Sequence, residues 1–349
     1  MCIAQEESSG AALQRDSGSW AQHMKTKRAL RRQVPAGWRA PASGKWYRRN
    51  EMGKVCIYLD LFAGTQSAMT AAEAMGMVYI PIDIKSPIYS AALGRDVHNY
   101  QLDLSEIDHR ELWEKVKLWA AEKTGLEAEE FCLAMVWISP CCNTFTQVDA
   151  RNANMLVRSK AHPEGIKMNN GYRDHSKTDK PPLQGPKTKH GKAARKADAC
   201  IQSIIRFLQW AVAAQGAEWA LENPVGTLRN QPYMQEGLIW EANFQTVDYC
   251  VWVHHYHKPT NIWTSLMKWR PRGPNRTGEV FDGRCHGDCF VGAWETTQTG
   301  KQVYNHFEGI AESSGKLKGG KGRLASKGAI PSGLHLEMMG AWMALQREV

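Results

Sequence analysis

The sequence predicts an α/β fold built on a doubly wound, mostly parallel sheet, with a small lobe added toward the carboxyl end. Three observations favour this fold. Short apolar segments at 55–59, 78–82 and 134–138 have the length and composition of buried strands. Helical patterns follow the strands along the chain. Acidic or thiol-bearing residues stand where strands end, which is the edge at which such sheets bind ligands.

The elements follow one another in a regular order. After the strand at 55–59 come a turn that contains Gly64 and an alanine-rich helix at about 67–74. A later helix is predicted to pack one apolar face on the sheet, because apolar residues recur at helical spacing. These residues are Ile201, Ile204, Ile205, Leu208 and Val212. The strand at 218–221 then delivers Glu222 to the ligand-binding edge.

Changes of composition divide the chain into four parts. Residues 1–50 are basic and lack periodicity, which predicts a mobile arm, and residues 51–266 form the main domain. Within this domain, the segment 149–192 is rich in Gly, Pro, Asn and basic residues, as expected of a long loop. Residues 267–327 form a small lobe, and residues 328–349 form a helix that returns to the main domain.

The composition excludes several classes of protein. A hydrophobic share of 43% and 14 tryptophans predict a globular body, and no apolar run is long enough for a membrane span. The first ten residues lack the apolar core of a secretory signal, so we expect the nine cysteines to be thiols, metal ligands or a nucleophile in a reducing compartment. The net charge of +9 suits a polyanion such as nucleic acid, although solvated lysines explain it equally well.

A cofactor-binding turn is predicted after the first strand. There a small residue lets the backbone approach a ligand, and helix N–H groups can bind a carboxylate. The candidate residues are Asp60, Phe62, Ala63, Gly64 and Thr65. Asp83 and Asp103 end two further stretches, where they could bind ribose hydroxyls and an adenine amine. An ordinary strand-to-helix turn with solvated aspartates accounts for the same residues.

A thiol and a carboxylic acid are predicted at neighbouring strand ends. Cys142 follows an apolar strand, so its thiol is displayed at the sheet edge, where a nucleophile would lie. Glu222, followed by Asn223 and Pro224, could exchange a hydrogen bond with a ring nitrogen. A packed cysteine and a capping glutamate are the competing interpretations. Metal binding by Cys142 and the adjacent Cys141 is disfavoured, because neighbouring side chains diverge.

In order and spacing, these segments resemble the motifs of DNA cytosine-5 methyltransferases. Residues 60–64 resemble the first motif, and residues 140–146 resemble Pro-Pro-Cys-Gln-x-Phe-Ser. Residues 222–224 resemble Glu-Asn-Val, and residues 329–336 are similar to the last motif, whose helix completes the cofactor pocket. The resemblance covers about 55–342, and it is greatest to a phage and algal or plant subgroup that has Glu-Asn-Pro.

The resemblance implies a Rossmann-like enzyme that binds S-adenosylmethionine and methylates carbon 5 of a DNA cytosine flipped out of the helix. It assigns Cys142 as the nucleophile and protonated Glu222 as the donor to ring nitrogen N3. Asn223 would hold the active-site loop, and Pro140 would contact the substrate. The long basic loop would close over DNA, and the lobe at 267–327 would recognise the target sequence. We expect a monomer, in the nucleus of a eukaryote and otherwise in the cytoplasm or nucleoid.

Three departures from the family pattern matter. Aligning Phe145 with the family's phenylalanine puts the nucleophile at Cys142 and leaves Cys141 as the alternative. Lys258 stands near the position of an arginine that contacts the cytosine carbonyl, so Lys258 is the candidate substitute. Residues 65–67, Thr-Gln-Ser, replace a common glycine pair in the cofactor turn. An RNA cytosine-5 methyltransferase and a noncatalytic nucleic-acid-binding relative remain alternatives.

The small lobe contains residues of types that bind zinc. Cys285 and Cys289 lie in one short loop, and His286 and His306 are near them in sequence. The spacing is only weakly typical of zinc sites. Free thiols are therefore the preferred interpretation, and no metal is assigned from the sequence.

Overall fold

The computed structural model describes about two thirds of the chain. The described residues are 46–90, 93–105, 107–142, 144–145, 189–252, 257–272, 282–287, 289, 292–297, 299–306 and 330–348. The predicted mobile arm, most of the predicted basic loop and much of the small lobe lie outside this part, so those predictions remain open.

A seven-stranded sheet forms the centre of the fold. Its strands and those of a short hairpin are β1 (Val55–Leu61), β2 (Val78–Asp83), β3 (Ile88–Ser90), β4 (Arg95–Val97), β5 (Tyr100–Gln101), β6 (Phe131–Ile138), β7 (Glu218–Pro224), β8 (Asn243–Asp248) and β9 (Pro259–Thr264). The order in the large sheet is β5-β2-β1-β6-β7-β9-β8. The strands from β5 to β7 are parallel, and β9 is antiparallel to both of its neighbours. The predicted α/β class with a mostly parallel sheet is confirmed.

Helices cover both faces of this sheet. They are α1 (Met69–Ala74), α2 (His109–Thr124), α3 (Lys189–Gln215), α4 (Gly237–Trp240) and α5 (Ser332–Glu348). Apolar residues of α2 and α3 join one buried cluster with the sheet, and those of α1 and α5 join the other. β1 and β6 are buried along their whole length, which explains why they are uninterrupted apolar runs.

Local signals set the ends of two helices. At the start of α2, the Asp108 side chain accepts hydrogen bonds from the N–H groups of Arg110 and Glu111, and the helix ends at Gly125 with φ 73°. The first helix begins at Met69, two residues later than the sequence predicts. The residues before it form a turn in which Gln66 has a positive φ of 57°, a conformation that a helix cannot contain.

The strand order reverses between β1 and β6. From β1 the sheet continues through β2 to β5 on one side, and from β6 it continues through β7 on the other. Loops that leave the carboxyl ends of β1 and β6 therefore diverge and leave a crevice, the usual ligand site of such sheets. The two loops remain joined at their base, where the Ser139 N–H donates to the Leu61 carbonyl at 3.1 Å.

The described part of the small lobe centres on an antiparallel hairpin, β10 (Gly292–Thr296) and β11 (Gln302–His306). After this lobe, α5 packs on the main domain, and its buried His335 lies 3.3 Å from the Tyr58 hydroxyl. No helix in the described part of the chain combines the length and apolar character that a membrane span requires.

Candidate active site

The loop after β6 presents one exposed and one half-buried thiol. Cys141 is exposed, whereas Cys142 is half-buried. The Phe145 N–H donates to the Cys142 carbonyl at 2.9 Å and closes the turn. Phe145 itself is only 1% exposed and belongs to the core, so its ring anchors the loop. The aligned phenylalanine therefore has a packing role that fixes where Cys142 lies.

Glu222, Tyr249 and Lys258 form a buried polar group at the end of β7. Glu222 Oε1 accepts a hydrogen bond of 2.6 Å from the Tyr249 hydroxyl and lies 3.5 Å from Lys258 Nζ. The Lys258 ammonium also lies 4.8 Å from the centre of the Tyr249 ring. The carboxylate thus has both a neutral donor and a cation beside it.

The antiparallel direction of β9 explains how Lys258 reaches this group. β9 begins where β7 ends, with Pro224 opposite Thr260, and the Val225 N–H donates to the Pro259 carbonyl at 2.9 Å. Lys258, just before β9, therefore lies at the same edge as Glu222. A parallel strand at this place would have put its first residue at the opposite edge of the sheet.

The charges of Glu222 and Lys258 both affect the pKa of Cys142. Burial raises the pKa of the Cys142 thiol; the Lys258 ammonium opposes that rise, and the Glu222 carboxylate adds to it. Because the two charges act in opposite directions, loss of charge at Glu222 would remove one cause of the raised pKa of Cys142 and leave the opposing effect of Lys258. Burial, with Glu222 nearby, also raises the pKa of Tyr249 well above its usual value, so its hydroxyl stays a donor.

Two buried residues hold the thiol loop against β7. The fully buried Asn223 donates through Nδ2 to the carbonyl of the buried Pro140 at 3.3 Å. Thr227 donates to the Phe145 carbonyl through its N–H at 2.8 Å and its hydroxyl at 3.2 Å. These bonds fix the two ends of the loop that carries Cys142. Asn143 and Thr146 lie outside the described residues.

The turn after β1 has a backbone shaped for close approach. Gly64 has φ +48°, and its N–H donates to Asp83 Oδ2 at 3.1 Å. A Cβ at Gly64 would meet only the Phe62 carbonyl oxygen, at 3.8 Å, so the space in front of the turn is open. Phe62 is half-buried with φ 61°, and Ala63 and Thr65 are buried. The turn is supported by Asn99, whose Nδ2 donates to the Gly64 carbonyl at 3.0 Å.

Asp60 and Asp103, the other two predicted cofactor-binding aspartates, lie in environments that differ from each other. Asp60 is buried and accepts a 2.5 Å hydrogen bond from the Tyr79 hydroxyl. Burial raises the pKa of Asp60 to about 7, although the bond from Tyr79 opposes the rise. Asp103 is exposed at the end of β5's loop, where its bond with Lys196 Nζ at 2.5 Å is the main cause of a lowered pKa. Asp60 thus acts within the core, and Asp103 remains at the surface edge.

Tyr249 is the main site residue that sequence reasoning gave no role. It belongs to a 3₁₀ turn at Tyr249–Trp252, directly after β8. Its approach to Glu222 depends on how β8 and β9 pair with β7, and such long-range pairing leaves no local signal. Gln66 and Asn99, which bond to each other at 2.9 Å beneath the cofactor turn, were missed for the same reason.

Comparison with known proteins finds only a weak structural similarity. No protein-family model and no curated protein matches this chain. Among solved structures, the chain is similar to a protein described as Entamoeba histolytica methyltransferase EhMeth, with 11% identity and a TM-score of 0.29. The likeness covers 60% of this chain and 52% of that one, about half of its length. A TM-score this low carries no conclusion about the fold, substrate or activity of this chain.

Proposed function

We propose that this chain is a DNA cytosine-5 methyltransferase with Cys142 as its nucleophile. The observation that carries the proposal is the convergence at one sheet edge of a half-buried Cys142 and the buried Glu222, whose carboxylate is held by Tyr249 and Lys258. The same residues stand in the motif order of that family. A merely structural cysteine or capping glutamate has no need of a paired cation and hydroxyl in the core.

The crevice between β1 and β6 has features that suit S-adenosylmethionine. Open space faces Gly64, the Asp83 carboxylate lies beside the turn, and Asp103 lies farther along the same edge. An acidic side chain at the end of the second strand is suited to binding ribose hydroxyls. When bound, the cofactor supplies an electrophilic methyl group on its sulfonium sulfur.

The proposed reaction begins at Cys142. Its thiolate forms a bond from Sγ to carbon 6 of a flipped cytosine, and the electron pair of the 5,6 double bond moves toward carbon 5. Glu222, protonated, donates to ring nitrogen N3 and accepts part of the developing charge. Carbon 5 would then form a bond to the methyl group that the cofactor supplies, and the electron pair of the broken bond would remain on the sulfur of the departing thioether. Loss of the carbon 5 proton to a base then returns the electron pair, breaks the bond to Sγ and restores the aromatic ring.

Lys258 and Asn223 would prepare the site for these steps. Once Glu222 is protonated, the Lys258 ammonium is the remaining charge near Cys142 and favours its thiolate. Lys258 is also the candidate donor to the cytosine carbonyl, the role of an arginine in the family. Asn223, through Pro140, keeps the thiol loop in register with Glu222.

Covalent trapping tests the proposal. The full chain is incubated with S-adenosylmethionine and a duplex that contains 5-fluorocytosine, which cannot lose a proton from carbon 5, and adducts are resolved by denaturing electrophoresis and mass spectrometry. We expect an adduct on the peptide that contains Cys142. Cys142→Ala should form none, while Cys200→Ser, altered at a half-buried cysteine of α3, should form as much as the wild type.

The same experiment separates the alternatives. An adduct with 5-fluorocytosine RNA and none with DNA would replace DNA by RNA as the substrate. An adduct that survives Cys142→Ala would overturn the assigned nucleophile. No adduct with either polymer, from protein that binds the cofactor, would favour a noncatalytic nucleic-acid-binding protein.

A further inference from the structure

Three thiols meet beside the 3₁₀ turn that follows β8. Their sulfur atoms, on Cys250, Cys285 and Cys289, all lie within 4.8 Å of one another. Cys250 and Cys289 are buried and Cys285 is half-buried. The three come from separate places: the 3₁₀ turn after β8, the loop at 282–287, and the approach to the β10–β11 hairpin. We call this set the three-thiol cluster.

The backbone around Cys285 supplies a hydrogen-bond donor to its sulfur. Gly287 has φ +81°, and its N–H donates to the Cys285 sulfur. A side chain at Gly287 is excluded, because its Cβ would lie 2.7 Å from the Trp294 ring. Backbone N–H groups that donate to sulfur stabilise thiolate ligands and orient them toward a metal.

Asp248 holds the loop that carries Cys285 in place. Asp248 Oδ2 accepts from the Cys285 N–H at 2.9 Å and lies 3.1 Å from Arg284 Nε, while its own N–H donates to the Gly283 carbonyl at 2.8 Å. On the other side, the Tyr304 hydroxyl of β11 lies 3.4 Å from the Cys289 sulfur. The ligands are therefore held in place by the surrounding fold.

We propose that the three-thiol cluster binds a structural zinc ion. Three thiols whose sulfur atoms all lie within 4.8 Å of one another supply the soft ligand set that Zn²⁺ prefers. Each thiol releases its proton to solvent when the metal binds. A fourth ligand, either water or another side chain, completes the coordination. A disulfide would use only two of the three sulfurs, and none of the three cysteines is in a disulfide.

The ligand set differs from the possible zinc ligands in the sequence, which were Cys285, Cys289 and a nearby histidine, and from the free thiols that the sequence favoured. Cys285 and Cys289 belong to it, but the third ligand is Cys250, which precedes them by more than thirty residues in the chain. His286 Nε2 instead lies 3.2 Å from Asp282 Oδ1, and the side chain of His306 lies outside the described residues. The zinc ion would join the end of β8 to the hairpin of the small lobe. This inference does not depend on the proposed function.

Metal content of the full chain tests the inference. The protein is purified without chelator and dialysed against buffer with trace zinc, and its metals are measured by inductively coupled plasma mass spectrometry. We expect about one zinc ion per chain. Cys285→Ser, at the half-buried ligand, should lower zinc binding severalfold. Cys200→Ser should retain it, because Cys200 lies on α3 and outside the cluster.

Two further measurements keep the test independent of folding defects. Cobalt exchanged into the wild-type chain should give strong thiolate-to-metal absorption in the near ultraviolet. Cys250, Cys285 and Cys289 should resist N-ethylmaleimide until a chelator is added. Zinc-free wild-type protein after dialysis, equal zinc loss in Cys200→Ser, iron in place of zinc, or a disulfide within the cluster would each overturn the inference.

Discussion

The Cys142 region and the three-thiol cluster both depend on cysteine thiols, but the residues around those thiols differ. Around Cys142 stand an ammonium and a carboxylate, Lys258 and Glu222, whose charges act on the thiol in opposite directions. Around Cys250 stand two further thiols. The two regions are nevertheless adjacent, since Tyr249 holds Glu222 and the next residue is Cys250.

The difference shows that neighbours determine what a buried thiol can do. A cation beside a single thiol favours a thiolate that can attack a substrate. Several thiols that face one another, with a backbone N–H donated to one of them, favour a shared soft metal ion. Changes confined to one region should therefore leave the readout of the other region unaltered.

The largest expected effect is the loss of methyl transfer in Glu222→Gln. Gln keeps the size of the side chain but cannot deliver a proton toward N3, so we expect the rate to fall about 10³-fold. Initial rates with labelled S-adenosylmethionine and DNA measure it. Zinc content should stay at the wild-type level. A loss of less than about tenfold would show that Glu222 is not the acid.

Next in size is the stability lost in Lys258→Met. The Lys258 and Glu222 side chains are only 11% and 5% exposed, so removing the ammonium leaves a buried carboxylate without its cation. We expect the free energy of unfolding to fall by about 3 kcal/mol, measured by urea titration.

A double variant supplies the control for this prediction. Lys258→Met combined with Glu222→Gln should recover much of the lost stability, because no uncompensated charge remains. If the losses of unfolding free energy in the two single variants simply add in the double variant, the two side chains do not interact. That result would contradict the interaction that their 3.5 Å separation indicates. In that outcome the contrast with the uncharged three-thiol cluster would be lost.

The stability of the fold that supports both regions should depend on pH because of His335. Burial lowers the pKa of His335 to about 3, from an ordinary value of 6.5. Between these values the unfolded chain binds the extra proton, so the histidine's contribution to stability is complete above pH 6.5 and is lost as the pH falls. From pH 7.5 to 5, wild type should lose about 2 kcal/mol relative to His335→Gln.

The comparison with a variant is needed because Asp60 acts in the opposite direction. Its pKa is raised to about 7, so the folded state binds the extra proton below that pH, and stability is lost as the pH rises from about 4 to 7. Urea titrations of both proteins across this pH range measure the difference. A difference that is constant with pH would mean that His335 is not buried in its neutral form.

The smallest expected effect is that of Cys141→Ala. Cys141 is exposed, and Cys142 is the thiol influenced by Lys258 and Glu222. Methyl transfer should therefore change by less than about twofold. If Cys141→Ala abolishes transfer and Cys142→Ala does not, the nucleophile is the exposed thiol, and charged neighbours are not what distinguishes the active region.

The sequence predicted four parallel strands of the sheet, β1, β2, β6 and β7, and left the other described strands unassigned. β1 and β6 are apolar along their length because both faces of a central parallel strand are buried, and this leaves a direct signal. The antiparallel direction of β9 had no such signal. As a result, the approach of Lys258 to Glu222 was not predicted, although it follows at once from the strand direction.

The residues of the candidate sites also divide into those that the sequence indicated and those that only the fold revealed. Cys142 and Glu222 were candidates because each stands near the end of an apolar segment, and the family resemblance selected them. Tyr249 and Cys250 follow a strand as well, but their partners come from distant segments, so neither could be assigned a role by spacing. Cys285 and Cys289 were recognised as a pair, whereas the third thiol of the proposed metal site required the fold.

The position of α5 has a consequence for biosynthesis. His335 contacts Tyr58 of β1 across 277 residues of chain, and Leu334, Met338 and Trp342 cover the same face of the sheet. A ribosome therefore completes every strand of the sheet before it makes the helix that shields one side of it. Until then this apolar face is open to chaperones and to other nascent chains, and a message cut short before α5 would yield a chain prone to aggregate.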